Sequence, residues 1–313
     1  MADLLLLFPG QGSQAVGMGR YLWETWPLTR EVFAEAEDLL GWDLRGLCLD
    51  GPIEELTRTD RAQPAIFVCS VAAWRVLEAA GVDFHVAVGH SLGEYSALVA
   101  TGQLDFAAGL RVVERRGAAM YACGQEDAGT MAAIIGLADD DVDALCAEVG
   151  DVWPANYNCP GQVVVSGRPA AVETASRLAR ERGARRTLAL QVSGAFHTPL
   201  VAGAARQLAD VLDGVAIHAP TRGSFFSTTE LRYPETDDIK ETMVRQLTSP
   251  VRFSQSMGML LDTLESGLEV GPGAVLAGLV KRSAGQFPVL GTDDAASLED
   301  ALRRLTNRED TGE

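Results

Sequence analysis

The sequence predicts a mixed α/β protein: a large domain on a parallel sheet, interrupted by a smaller inserted domain. Short apolar runs at 4–8 and 86–88 have the unbroken hydrophobicity of strands buried on both faces. Each leads into a glycine-bearing turn and then a helical pattern, the alternation that builds a parallel sheet. Between 130 and 192 the rhythm changes to β-α-β-β-α-β, the order of a ferredoxin-like unit. On this reading residues 1–126 and 193–313 form the large catalytic domain and 127–192 the insert.

The elements follow in order. After the strand at 4–8 comes the turn Pro9-Gly10-Gln11-Gly12-Ser13-Gln14, whose backbone N–H groups can approach an anion closely. Gly10, Gly12 and Ala15 also fit a dinucleotide fingerprint, which requires a second strand ending in an acid about 20 residues on. Residues 28–40 read instead as an amphipathic helix, against the dinucleotide reading. A short helix is expected over 52–60, and Gln63-Pro64 opens a buried one running through 65–80.

The strand at 86–88 then meets Gly89-His90-Ser91-Leu92-Gly93, a G-x-S-x-G, followed by a helix over 94–100 with Gly102 placed to cap it. Strand, tight turn and helix with serine at the apex make a nucleophile elbow, which marks the large domain as α/β-hydrolase-like. The glycines let the backbone through a turn that a Cβ would obstruct. Ser91 then points away from the sheet, near a helix N-terminus that favours developing negative charge. A serine hydroxyl is a weak nucleophile until a neighbour takes its proton.

Residues 105–123 read as a helix with Phe106, Gly109, Val113 and Met120 inward and Arg111, Glu114 and Arg115 outward. Arg116 falls on the inward side, and a buried guanidinium needs an anion. A structural carboxylate of the protein and a carboxylate on a substrate are both open as that anion. A flexible break is expected at 124–129, then strands at 130–136, 152–155, 162–166 and 186–192, with helices at 139–149 and 170–182. The stretch 156–161 reads as a turn long enough to carry Asn156 and Asn158 to a cleft. His197, after Ser193-Gly194-Ala195-Phe196, lies where the insert rejoins the large domain and is the candidate base for Ser91. Helices at 200–213, 241–248, 253–264, 274–282 and 295–305 and strands at 224–227, 268–270 and 288–290 complete the alternation, ahead of a polar tail expected to fray.

Composition narrows the function. With 313 residues, 47% hydrophobic and 22% charged, the chain can bury a large core. A net charge of -17 argues against nucleic acid. No apolar run reaches membrane length and 4–8 is too short for a signal peptide, so the expectation is a cytoplasmic protein. Cys48, Cys69, Cys123, Cys146 and Cys159 contain no C-x-x-C pair and read as reduced thiols. His85, His90, His197 and His218 lack metal-ligand spacing, so no metal is expected.

FPGQGSQ at 8–14, GHSLGEYSALVATG at 89–102, GAFH at 194–197 and VRQLTSPVRF at 244–253 together resemble the malonyl-CoA:acyl-carrier-protein transacylases and the related acyltransferase domains of polyketide and fatty acid synthases. GPG at 271–273 fits as well, and the resemblance spans nearly the whole chain. It implies a ping-pong reaction in fatty acid or polyketide biosynthesis. Serine takes a malonyl group from malonyl-CoA and passes it to the phosphopantetheine thiol of an acyl carrier protein. By the same resemblance Ser91 is the nucleophile and His197 the base. The backbone N–H groups of Gln11 and Leu92 form the oxyanion hole, and Arg116, in its Arg116-Gly117 pair, holds the malonyl carboxylate. The backbone carbonyl of Gln246 orients His197, and Phe196 crowds an α-methyl branch and so selects malonyl over methylmalonyl. No cofactor is implied beyond the coenzyme A and phosphopantetheine thioesters, and the chain is expected to be a monomer. A thioesterase using the same elbow and a transacylase for another acyl unit are the alternatives. An acidic carrier would need a basic patch; Arg180, Arg182, Arg185 and Arg186, or Lys281 and Arg282, are the candidates, each equally readable as a solvated face.

Overall fold

A computed structural model describes residues 3–126, 128–192 and 194–306. The expected junctions of the insert fall on Asp127 and Ser193, and the expected polar tail on 307–313; these lie outside the described residues. Nine strands are found among the described residues: β1 Leu4–Phe8, β2 Val86–Gly89, β3 Thr130–Ile135, β4 Val152–Cys159, β5 Gln162–Gly167, β6 Arg186–Ala189, β7 Ser224–Phe226, β8 Ser266–Glu269 and β9 Val289–Leu290. They form two sheets. One is wholly parallel in the order β7-β2-β1-β8-β9; the other is antiparallel in the order β4-β5-β3-β6.

The apolar strand β1 is central because both its faces are covered. Leu4, Leu6 and Phe8 pack into a cluster with the helix Thr59–Ala79, while Leu5 and Leu7 meet Phe253, Met257 and Leu276 on the other face. The neighbouring parallel strands β1 and β2 end side by side, so the turns that leave them bring Gln11 and Ser91 to one cavity at the C-terminal edge of the sheet. That is where an open α/β sheet binds its ligand. The antiparallel sheet buries Ala132, Ile134, Val163 and Val165 against the helices Asp139–Val149 and Pro169–Glu181. Its other face, with Met131, Ala133 and Val164, joins the main core beside Met120 and Phe196.

Local differences from the sequence reading have physical causes. The helix expected to open at Gln63-Pro64 starts at Thr59, with Pro64 inside it. The N–H groups of Arg61 and Ala62 already bond to Arg58 O, so the proline loses a single helical bond near the start. The helix expected to end at 123 continues through Gly124 to Glu126. The stretch 156–161 is not a free turn. Strand β4 continues through Cys159, with register shifts at Pro154/Asn156 and Tyr157/Cys159, and the turn is confined to Pro160 and Gly161. Residue 251 supplies the missing bonds: Tyr157 N donates to Val251 O at 2.9 Å and Val251 N to Ala155 O at 2.8 Å. Strand β6 ends at Ala189 rather than at 192. No helix among the described residues is long and apolar enough to cross a membrane.

The elbow between β2 and the helix Gly93–Ala100 is pressed directly onto β1. A Cβ on Gly93 would lie 1.9 Å from Phe8 O, and one on Gly89 1.9 Å from Glu94 N. Both atoms are backbone and cannot swing aside. Gly93→Ala should therefore lower the unfolding free energy by at least about 1–3 kcal/mol through overpacking, measurable by urea denaturation, and should blunt Ser91 reactivity in the protein that remains folded.

Candidate active site

Ser91 sits at φ 53, a left-handed conformation that a residue with a side chain adopts at a cost. The tight turn enforces it, because Gly93 N and Glu94 N bond back to His90 O and Ser91 O as the helix starts. The result aims Oγ over the sheet edge. His197 is also left-handed, at φ 61, and is brought to the same place by the connection into the 3₁₀ turn Pro199–Val201. Ser91 Oγ and His197 Nε2 stand 2.9 Å apart. His197 Nδ1 lies 2.9 Å from the backbone oxygen of Gln246, the last residue of the helix Ile239–Gln246. A carbonyl only accepts, so Nδ1 carries the proton and Nε2 presents its lone pair to the serine hydroxyl. No carboxylate bonds to His197 among the described residues.

Arg116, 1% exposed, comes in from the helix Phe106–Glu126. Its Nη1 donates to Gln63 Oε1 at 2.7 Å, and its Nη2 to Gln246 Oε1 at 2.9 Å and to Ser91 Oγ at 3.0 Å. The guanidinium carbon lies 5.5 Å from the centre of the Tyr95 ring, a cation–π distance. Its Nε has no partner among the described residues. Among the described residues every hydrogen-bond acceptor on this buried cation is neutral, and no carboxylate pairs with it directly.

Ser91, His197, Arg116 and Gln63 line a cavity of about 360 Å³. Gln11, Leu92 and Phe196 are on its wall as well. The backbone N–H groups of Gln11 and Leu92 bond to no acceptor among the described residues, while the Gln11 side chain is tied by its Nε2 to Thr59 Oγ1 at 3.2 Å. Phe196, 4% exposed, borders the space beside His197. Asn156 lines the cavity; Asn158 lies behind it, with Oδ1 at 2.9 Å from His90 Nε2. Of the arginines weighed for docking, Arg180 donates to Thr187, Arg182 pairs with Glu148 at 2.5 Å, and Arg282 Nε donates to Cys159 Sγ at 3.3 Å.

Burial sets the electrostatics. It lowers His197 to about 3, with the Arg116 charge adding to the effect, so the imidazole is neutral at ordinary pH. Burial also lowers His90 and Arg116 and raises Tyr95 to about 12. Glu94, in the first turn of the elbow helix, is raised to about 7 by burial, against the pull of its Thr228 and Gln246 hydrogen bonds and of Arg116. A neutral imidazole on a serine hydroxyl, two unengaged backbone donors and a cation without a counter-anion can together carry out acyl transfer from a substrate bearing a carboxylate.

Sequence reasoning did not find Gln63, Glu94 or the Gln246 side chain. Only Glu94 carries a local signal, an acid at the start of the mainly apolar helix 94–100; Gln63 and Gln246 each have a charged residue within two positions and read as ordinary polar positions. Their partners come from segments far off in the chain, which the sequence does not display.

Comparison with known proteins agrees in extent. The chain matches the acyl transferase domain family over residues 5–308. It is 40% identical over 315 residues to the malonyl CoA-acyl carrier protein transacylase of Bacillus subtilis strain 168, covering 99% of each chain. It is 41% identical over 307 residues to that of Escherichia coli K12, covering 96% of this chain and 99% of the relative. Among solved structures, the Coxiella burnetii malonyl CoA-acyl carrier protein transacylase superposes with a TM-score of 0.94 at 34% identity, covering 98% of each chain. A malonyl-transacylase in complex with a type II polyketide synthase acyl-carrier protein gives 0.93 at 40% identity, covering 97% of this chain and 100% of that one. The chain belongs to the acyl transferase domain family.

Proposed function

We propose that this protein transfers a malonyl group from malonyl-CoA, through an ester on Ser91, to the phosphopantetheine thiol of an acyl carrier protein, in fatty acid or polyketide biosynthesis. The observation that carries this reading is Arg116, a buried cation 3.0 Å from the nucleophile with only neutral acceptors. A carboxylate on the acyl group would supply the anion it lacks, gripped by two parallel hydrogen bonds. The names of the relatives and of the complex with a carrier protein support the same substrates and partner.

The steps follow from the geometry. As Ser91 Oγ attacks the thioester carbonyl, its proton passes to His197 Nε2, 2.9 Å away. The tetrahedral oxygen takes the N–H groups of Gln11 and Leu92, each such donor being worth about 2.7–4 kcal/mol of barrier. The C–S bond breaks, and the leaving sulfur takes the proton back from His197 as free coenzyme A. In the second half the carrier's thiol gives its proton to His197 and attacks the ester. Ser91 leaves and recovers that proton. The Gln246 carbonyl holds the imidazole in the one tautomer that serves both halves, so no acid is needed behind it. The reaction so read draws on nothing beyond the substrates' own thioesters.

The sheet orders support a finer reading of the fold: an α/β-hydrolase-like domain with a ferredoxin-like insert over 127–192. One copy supplies every group the reaction uses, and we read the chain as a monomer working in the cytoplasm.

Intact mass after exposure to malonyl-CoA should show a malonyl adduct that Ser91→Ala abolishes. Malonate should be released slowly without holo carrier protein; rapid release regardless of thiol would make the chain a hydrolase instead. Arg116→Ala should lower the malonyl-to-acetyl ratio of kcat/KM by roughly 10- to 100-fold, from the loss of about 1.5–3 kcal/mol of charge-assisted hydrogen bonding; equal loss for both acyl groups would make the arginine structural. Phe196→Ala opens space beside His197 and should improve methylmalonyl relative to malonyl transfer by about 1–3 kcal/mol, read by competition between the two thioesters. Finally, His197 has a folded value of about 3, below an unfolded value near 6.5. Its neutral form stabilises the fold fully above about 6.5, and that contribution is lost as the pH falls toward 3. Between pH 6 and 4 the wild type should therefore lose unfolding free energy more steeply than His197→Gln, by up to about 1.4 kcal/mol per pH unit.

A further inference from the structure

Arg116 is buried with no direct counter-ion among the described residues, yet a buried carboxyl group stands one amide away. Glu94, 0% exposed, takes three donors: Thr228 N at 2.7 Å and Thr228 Oγ1 at 2.8 Å on Oε1, and Gln246 Nε2 at 2.5 Å on Oε2. The same Gln246 Nε2 donates to Ser91 O at 3.0 Å, and the other end of that amide, Oε1, accepts from Arg116 Nη2 at 2.9 Å. Thr228 Oγ1 also reaches Gly89 O at 3.2 Å, the last residue before the elbow. Nothing in the transfer steps uses Glu94.

The amide can face only one way. Reversed, Gln246 would set an N–H against the guanidinium and an oxygen against both Ser91 O and the Glu94 carboxylate. Each of its contacts would then oppose like with like. The backbone N–H of Thr228 cannot turn, so Glu94 Oε1 must stay an acceptor. Its Oε2 is then the atom that dictates the amide's direction. Glu94 stands one amide away from the cation, where its charge opposes the effect of burial only in part and where it does not occupy the guanidinium fork.

Resting on the malonyl reading above, we propose that Glu94 is a positioning residue for substrate selection: by fixing the Gln246 amide it aims the Arg116 guanidinium at an incoming acyl carboxylate. Ser91 and His197 gain from the same brace, since Gln246 bonds the backbone oxygen of one and orients the other. Arg116 depends on it most, because it meets the amide side chain itself.

Glu94→Gln tests this, since competing roles for Glu94 move the result in different directions. The Thr228 N–H holds the new amide's oxygen, which turns its NH₂ toward Gln246 and forces the Gln246 amide to invert. An N–H then faces Arg116. The malonyl-to-acetyl ratio of kcat/KM should fall roughly tenfold or more, the size of one hydrogen bond to a charged group. If Glu94 were merely a background negative charge, its removal would leave the cavity more positive and the ratio would rise. If it were merely structural, both substrates would lose together and the ratio would hold. A rise, or a ratio unchanged within about twofold, overturns the proposal. Gln246→Met keeps the Glu94 charge and the backbone carbonyl but deletes the amide. It should lower the ratio likewise, and the double variant should lose little more than either single one, as for residues acting as a unit. Should Glu94→Gln fail to fold, Gln246→Met decides on the same ratio, and an unchanged value overturns the proposal. The wild type serves as the control on the underlying reading. Ser91 that takes up malonyl with no preference over acetyl removes the reading of Arg116 itself, and this inference with it, whereas a preference that survives Glu94→Gln sinks the inference alone.

Discussion

A cation buried without an anion is the constraint on which the rest of this structure turns. Removing a guanidinium from water is costly, and proteins normally place a carboxylate on it. Arg116 instead has Gln63, Gln246 and Ser91 as acceptors and the face of Tyr95 beside it. These contacts position the group while leaving it electrostatically unsatisfied. Val112, Val113, Ala119 and Met120, three and four places away along the helix Phe106–Glu126, are buried on the same face as the arginine. On the proposed reading, the cost of burying this cation becomes affinity for a ligand that brings a carboxylate.

The Ser91–His197 pair is held by a different device. Ser91 and His197 both occupy left-handed backbone conformations, and each is held there by contacts that have no freedom to relax. At the serine the constraint is the close packing of Gly89 and Gly93 on the turn and on β1. At the histidine it is the hydrogen bond from Nδ1 to Gln246 O, which sets tautomer and ring direction together. Gln246 is thereby the point where the two devices meet, its backbone serving the base and its side chain the cation.

Much of this was legible in the sequence because it is local. The apolar run of β1, the glycines of the elbow and the inward register of Arg116 on its helix each depend on residues a few places apart. Their positions follow from period and steric size. What escaped was set by partners remote in the chain. Strand β4 looked like a turn after 155 because Asn156, Asn158, Pro160 and Gly161 are all of types that strands disfavour. It persists to Cys159 because residue 251 supplies a bonding partner. The helix at Thr59 hides its start behind Pro64 for a similar reason: propensity marks the proline as a beginning, whereas packing of Thr59 and Ala62 in the core carries the helix back a turn. Within the site, periodicity could place Arg116 inside. It could not show that the buried acid nearest to it would be kept one amide away.

That separation bears on the base. Burial does most to hold His197 down near 3, and the charge of Arg116 does the next most. A base so weak takes a proton reluctantly. When a carboxylate settles on Arg116, the second of these effects is cancelled and the imidazole becomes more basic, while the first is unchanged. An acyl group lacking a carboxylate would enter the same cavity and meet the weaker base. On the proposed reading, selection by Arg116 is not confined to binding: the anion that satisfies the guanidinium also raises the proton affinity of His197, so part of the preference is expressed in the chemical step. A direct Glu94–Arg116 ion pair would have made that cancellation permanent, and His197 would then serve acids and neutral acyl groups alike.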